Sequence, residues 1–313
     1  MERLVLRYKN QGLNIMRSLL ILSWILLLTV KLNAQVKANK ALFNQDSLKL
    51  VSSQFKFTEG PAVDKKGNVF FTDQPNNEIW KYDTNGKLSL VTNKAGRANG
   101  THFDKKGKLI VCADENNELW SIDEKGIVKV LYKNPIGKNL NGPNDLWIDA
   151  KGGIYFTDPY YQRDYWTRQS PDIVGEKVYY LPKGKTEIVT VADSLIRPNG
   201  IVGTPDGKIL YIGDAKAEKV YQYDIQLDGT LSHKKLIISQ RSDGMTLDEQ
   251  GNIYLTGKEG VSIFNSAGQK IARIAIPEGH TANVCFGGKK RDILFITASK
   301  SVYIMPMNVK GVE

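Results

Sequence analysis

Histidine and cysteine are scarce in this chain: three His and two Cys in 313 residues. His102, His233 and His280 lie in different parts of the sequence and no Cys/His cluster exists, which argues against a conventional zinc site. Cys112 and Cys285 fall in predicted strands of separate, non-adjacent repeats, where the Cα spacing of a disulfide is rarely met. Buried free thiols are therefore expected. A helical period is missing throughout the chain beyond its first 34 residues. Nucleic-acid motifs and basic helices are missing too, although the formal net charge is +10. Five basic residues (Arg3, Arg7, Lys9, Arg17, Lys31) against Glu2 supply a net +4 before Gln35, and the remaining +6 is scattered over lysines at turns. Without a focused patch, nucleic-acid binding is excluded as a leading function.

The one long apolar run, Ser18 to Val30, follows Arg17 and precedes Lys31-Leu-Asn-Ala-Gln. A basic flank, a short apolar core and a small residue describe a secretory signal, with cleavage expected after Ala34. The run is shorter than the ~20 residues of a spanning helix, so no membrane span is expected after cleavage. The expected organisation is a signal at 1–34, a linker at 35–46, a folded domain at 47–308 and a tail at 309–313. That makes the protein an exported, periplasmic or secreted chain, expected to be a monomer.

What the sequence has in quantity is glycine, 28 residues, set in a recurring unit. NGPNDLWIDAKGGIYFTDP, from Asn141 to Pro159, is its clearest copy: a polar pair, an apolar strand, a Gly turn and a second strand. Related units begin at Glu59, Asn99, Asn199, Asp243 and Asn283, which spaces six copies roughly 40 to 55 residues apart. Third strands read as Glu78 to Tyr82, Glu118 to Ile122, Lys177 to Leu181, Lys219 to Tyr223, Val261 to Phe264 and Ser301 to Met305. Fourth strands read as Leu88 to Thr92, Val128 to Tyr132, Glu187 to Ala192 and Leu236 to Ser239. Ser47 to Ser53 alternates polar and apolar residues and lacks a hairpin partner, so it is expected to complete the last sheet and close the ring. The predicted fold is all-β: a six-bladed β-propeller of four-stranded blades closed by an N-terminal strand. The main insertion, Tyr160 to Gly175, is aromatic and basic and is expected as a wall or lid over the channel mouth.

Residues heading the innermost strands of a propeller converge on one mouth of its channel. Here they are Glu59, Asn99, Asn144, Asn199, Asp243 and Asn283, none of them apolar. Glu59, Asn144, Asn199 and Asp243 form an all-oxygen set carrying two negative charges, which suits Ca²⁺ completed by water. Mg²⁺, Mn²⁺ or Zn²⁺ are the other cations considered for it. Two carboxylates brought together without a cation would repel each other. Asn199-Gly200 and Asp243-Gly244 also read as turn formers, a role for which Glu59-Gly60 is poorly suited.

In order along the chain, FTEGP (Phe57 to Pro61), NGPNDL (Asn141 to Leu146), YFTDP (Tyr155 to Pro159), RPNGI (Arg197 to Ile201), SDGM (Ser242 to Met245) and TANVCFGG (Thr281 to Gly288) resemble the senescence-marker-protein/gluconolactonase/luciferin-regenerating family. The resemblance spans Phe55 to Met305 and implies a calcium-dependent propeller that hydrolyses lactones, sugar lactones first among them. It implies Glu59, Asn144, Asn199 and Asp243 as metal ligands, with Asp243 as general base or nucleophile. The animal sugar-lactonase branch has a sugar-contacting Arg two residues before the NDL-like Asn, and this chain has Gly142 there. Asn99, Arg97, Tyr160 and His280 are candidate substrate contacts instead. Two other functions are compatible with the same residues: hydrolysis of phosphotriesters or other esters, and a non-catalytic propeller that binds a partner or glycan around a structural calcium.

Overall fold

An Asp or Asn with a left-handed glycine three residues later makes most of the hairpin turns. Asp64 accepts hydrogen bonds through Oδ1 from the amides of Lys66 and Asn68, and its carbonyl accepts from Gly67. The arrangement recurs at Asp104, Asp123 and Asp248. A carboxylate that satisfies two amides locally, beside a residue able to take positive φ, turns the chain without help from distant packing.

The computed structural model describes residues 41–134 and 138–312. The signal expected at 1–34 and half of the linker expected at 35–46 (residues 35–40) lie outside the described residues. Six four-stranded antiparallel sheets follow one another in sequence order, a six-bladed β-propeller. The first strands of blades I to VI are Thr58–Val63, Ala98–Phe103, Leu146–Ile148, Pro198–Gly203, Met245–Leu247 and Thr281–Gly287. Each first strand touches the first strands of the blades on either side, so these six strands ring the central axis. Among the described residues the only helices are two 3₁₀ turns, Gln45–Ser47 and Gln74–Asn76, and none is long and apolar enough to cross a membrane.

The strand expected to close the ring does so. Lys49–Ser52 lies beside Ser301–Pro306, with Lys49 opposite Ile304 and Leu50 opposite Tyr303, and becomes the fourth strand of blade VI. Closure leaves no blade with a missing outer strand. Residues 309–312, within the expected tail, are tied to the domain: Glu249 and Lys310 bond to each other and the Val312 amide donates to Leu247 O. Predicted strands and observed ones coincide at Glu78–Tyr82, Glu118–Ile122, Lys177–Leu181, Leu88–Thr92 and Val128–Tyr132. The fourth strand of blade V, Lys270–Ile274, went unread because its apolar side chains, Ile271 among them, are partly exposed and blur the alternation.

Apolar side chains pack between blades. Trp147, Tyr155, Tyr180, Val202, Leu210 and Tyr211 fill the space between blades III and IV. Phe55, Phe71 and Phe295 do so between VI and I. Each fully buried large side chain contributes about 1.5–3 kcal/mol. Cys112 and Cys285 are buried free thiols, as expected.

The tightest constraint lies at the axis. The glycine after a head residue sits against the head residue of the next blade. A Cβ on Gly60 would stand 2.0 Å from the Asn99 carbonyl oxygen, on Gly100 2.5 Å from that of Asn144, and on Gly200 2.6 Å from that of Asp243. Register shifts at Glu59/Ala62, Ala98/Thr101, Pro198/Ile201 and Thr281/Asn283 mark a bulge at the same height in four blades. Gly200 has no positive φ, so its glycine serves close approach rather than a turn. Gly200→Ala is therefore expected to cost about 1–3 kcal/mol in urea unfolding, as overpacking does. Gly279→Ala, where nothing lies within 4 Å, should stay within about 0.5 kcal/mol of the parent. Equal stability of the two variants would contradict this account.

Candidate functional site

Glu59, Asn99, Asn144, Asn199, Asp243 and Asn283 are all buried. In blades I, II, IV and VI the bulge lies at the height of these residues. Three of the expected ligands are coupled directly or nearly so. Asn199 Nδ2 donates to Asp243 Oδ1 at 2.8 Å, and the Glu59 carboxylate lies within the electrostatic reach of Asp243. Asn144 stands on the same ring, its carbonyl accepting the Gly100 amide at 2.6 Å. Asn99 occupies the blade II position with its Oδ1 buried and unpartnered.

His280 is brought to the centre. Its Nε2 is 2.5 Å from Asp243 Oδ2, and its ring stacks on Phe57 at 5.9 Å between centroids. The hydrogen bond to Asp243, reinforced by the charges of Asp243 and Glu59, raises the imidazole above its ordinary value against the opposing effect of burial. Arg97 and Tyr160 have other engagements. Arg97 donates to Pro75 O at 2.8 Å, pairs with Glu115 at 3.6 Å and covers the ring of Tyr165. Tyr160 bonds to Gln162 and packs near Trp166.

Three residues that sequence reasoning left out belong to the mouth or the channel beneath it. Asp145 follows Asn144 where blades I, II, IV and V carry glycine. Asn283 holds the matching place in blade VI, its amide donating to Thr297 Oγ1 as that of Asp145 does to Thr157 Oγ1, and its Nδ2 links Asp145 (3.4 Å) to Glu59 (3.3 Å). Arg241 Nη2 lies 3.4 Å from Asp243 Oδ1. Tyr161, one residue past the candidate Tyr160, accepts from Asn199 Nδ2 at 3.1 Å through its hydroxyl. The departure from glycine at 145 was the readable sign for the first of these. For Arg241 and Tyr161 the linear pattern offered none.

Asp114 explains how the insertion reaches the mouth. In blades I, III and IV the Asp that ends the second strand (Asp73, Asp158, Asp214) accepts amides of the segment leading into the blade. In blade II, Asp114 instead receives Arg163 Nε at 2.8 Å, the Tyr165 hydroxyl and Gln74 Nε2, while its carbonyl accepts Trp166 Nε1 at 3.1 Å. Arg168 adds a bond to Asn141 O. So anchored, the insertion walls the mouth with Tyr161. It also fills the space at Gly142: a Cβ there would stand 2.8 Å from Asp114 Oδ1 and 2.9 Å from the Trp166 ring. An arginine at 142 has no room.

Burial, then the nearby charge of Asp243, pushes Glu59 up from 4.5 to about 8, and burial pushes Asp145 up to about 7. Holding Glu59 ionised at the pH of an unperturbed carboxylate therefore costs roughly 5 kcal/mol. A divalent cation relieves this directly. Glu59 and Asp243 offer charge, and the amides of Asn144, Asn199 and Asn99 offer neutral oxygens, one of them the orphaned Asn99 Oδ1. Among the described residues no group of three or more His, Cys, Asp and Glu side chains is arranged to hold a metal, so a cation would be held by this mixed set of carboxylate and amide oxygens. The residues fit a hard ion.

Fold and mouth define a six-bladed propeller with an oxygen-lined, carboxylate-bearing opening. The chain belongs to the SMP-30/Gluconolactonase/LRE-like family, which it matches over residues 57–300. It is 27% identical over 288 residues to a gluconolactonase of Zymomonas mobilis subsp. mobilis, covering 82% of this chain and 80% of that one. A solved gluconolactonase from Xanthomonas campestris superposes with a TM-score of 0.78 at 26% identity, covering 83% of this chain and 89% of that one. A calcium-binding regucalcin from Agrobacterium tumefaciens shares the fold, with a TM-score of 0.71 at 18% identity over 84% of this chain and 94% of that one.

The raised Glu59 dictates how the metal-free protein responds to pH. Native Glu59 keeps its proton to about pH 8, whereas the unfolded chain releases it near 4.5. The native state therefore binds more protons between these values, and its stability falls as pH rises through that window. In chelator, melting temperature should drop from pH 5 to pH 8, and Glu59→Gln should flatten the slope. Parallel profiles for the two proteins would show that Glu59 carries no such burden.

Proposed function

We propose that this chain is an exported, divalent-cation-dependent lactone hydrolase, with Ca²⁺ as its metal and sugar lactones as its first substrate class. The observation that carries the proposal is Asp243, buried at the axis with Asn199 and Arg241 on one oxygen and His280 on the other. Family membership and the similarity to the gluconolactonases support the lactone. The oxygen set of Glu59, Asn144, Asn199 and Asp243 supports the cation, and residues 1–34 support export through their sequence.

A cation held by that set supplies Lewis acidity at the lactone carbonyl. The protein's own part is the proton. Asp243 accepts one from the attacking water as the new C–O bond forms. His280, hydrogen-bonded to Asp243, returns one to the ring oxygen as the ester C–O bond breaks. Burial of the carboxylate among fixed donors keeps bulk water from competing for these contacts.

Hydrolysis of D-glucono-1,5-lactone should vanish in excess chelator and return with Ca²⁺. Asp243→Asn and Glu59→Gln remove the same charge from opposite sides of the set, but only the first removes the base. At saturating Ca²⁺, Glu59→Gln should recover while Asp243→Asn stays about 10² to 10⁴ below the parent. Equal rescue would reduce Asp243 to a ligand, and undiminished hydrolysis in chelator would remove the cation from the reaction. Export makes a separate prediction: mass spectrometry of the secreted or periplasmic protein should find Gln35 at its N-terminus. Recovery of the chain with residues 1–34 intact would count against cleavage.

A further inference from the structure

The cations around the mouth are not equivalent. Arg163 has Asp114 at 2.8 Å and Arg197 has Glu176 at 3.0 Å, each a dedicated acid. Arg241 has none. Its nearest carboxylate is Asp243, at 3.4 Å, which Asn199 and His280 already approach more closely at 2.8 and 2.5 Å. Arg241 Nε is buried without a hydrogen-bond partner, although the side chain as a whole is about one-third exposed (35%). A buried donor left unpaired is costly, and a guanidinium fork suits a planar or tetrahedral oxyanion.

The charge balance points the same way. A divalent ion at Glu59 and Asp243 would engage the one carboxylate that Arg241 reaches. Tyr161 is close to Arg241 and Asp243 in the electrostatics of the mouth. Its hydroxyl accepts from Asn199, which leaves its own proton to donate. Gly142 cannot carry a cation on the opposite side, because Trp166 and Asp114 fill that space. Beside the reacting carboxylate the mouth thus presents a guanidinium with no acid of its own and a hydroxyl with its proton to donate.

We infer that the substrate carries an anionic substituent, a carboxylate or a phosphate, recognised by the Arg241 guanidinium and the Tyr161 hydroxyl. The inference rests on the lactonase reading for the ring that is opened, and on the geometry of Arg241 for the charge. Arg241 is here a specificity-determining residue that also touches Asp243, so its loss is expected to lower turnover of every substrate. The diagnostic quantity is the ratio between substrates.

The test compares kcat/KM of the Ca²⁺-loaded protein on three probes: D-glucono-1,5-lactone (neutral), D-glucaro-1,4-lactone (carboxylate) and 6-phospho-D-glucono-1,5-lactone (phosphate). The parent should favour one anionic probe, and which one identifies the anion. Arg241→Gln should lower the anionic-to-neutral ratio roughly tenfold to a hundredfold, the usual weight of a charge-assisted hydrogen bond. Arg241→Lys, which keeps the charge but loses the fork, should fall between. Tyr161→Phe should lower the ratio less. Calorimetric binding of D-glucuronate and D-glucose 6-phosphate against D-glucose, with and without Ca²⁺, reads the same preference without turnover. If no lactone is opened but anion binding depends on Arg241, the lactonase reading fails and the anion site stands. If lactones are opened while neither ratio nor binding responds to Arg241→Gln or Arg241→Lys, the anion site is refuted and the lactonase reading survives.

Discussion

The close approach of six first strands around one axis is the constraint on which the rest of this protein depends. A glycine at position 60, 100 or 200 lets the backbone of one blade lie against the carbonyl of the next. In blades I, II and IV the strand is bulged at this contact, and the residue before the glycine is a buried polar head. Polar heads thus stand where the blades are drawn close together. The outer strands and the closing strand Lys49–Ser52 keep them so drawn.

Such convergence has an electrostatic consequence. Two carboxylates, Glu59 on blade I and Asp243 on blade V, meet with Asp145 in a desolvated place, where burial and the charge of Asp243 raise the cost of ionising Glu59 and Asp145. The fold cannot relieve this with lysine or arginine alone, since Arg241 reaches only Asp243, at 3.4 Å. The site is therefore held in a state that favours a proton or a small hard cation. Stability and function draw on the same burial: the packing that orders the mouth also makes its charges reactive.

Blade II shows how one change of partner shapes the mouth. The Asp that closes the ladder in blades I, III and IV is diverted at Asp114 to hold Arg163, Tyr165 and Trp166. The insertion then delivers Tyr161 to Asn199 and occupies the room beside Gly142. Glycine at position 142 is thus matched to the insertion. Recognition at this mouth must come from other side chains.

The blade count, most strand boundaries, the closing strand and the polar heads of blades I to V were legible in the sequence by itself. In blade VI, by contrast, the head place is taken by Ala282, whose carbonyl accepts the Thr256 hydroxyl, and Asn283 lies one residue further on. The legible features are written in short-range chemistry: alternation along strands, Asp-x-x-Gly turns, and a repeat that returns the same residue type to the same place. Asn-Gly and Asp-Gly were ambiguous as sequence, because glycine suits a turn and a close approach equally, and only the distance from Gly200 to the Asp243 carbonyl resolved it. Tertiary structure alone decided that His280 meets Asp243 across blades V and VI, and that Tyr161 rather than Tyr160 reaches Asn199. It likewise decided that Arg241 has no acid of its own while Arg163 and Arg197 do. These pairings join residues 21 or more positions apart or depend on which of two adjacent side chains faces inward. Repeat periodicity places the blades, but the partner of a side chain is set by where neighbouring blades and one inserted loop happen to meet.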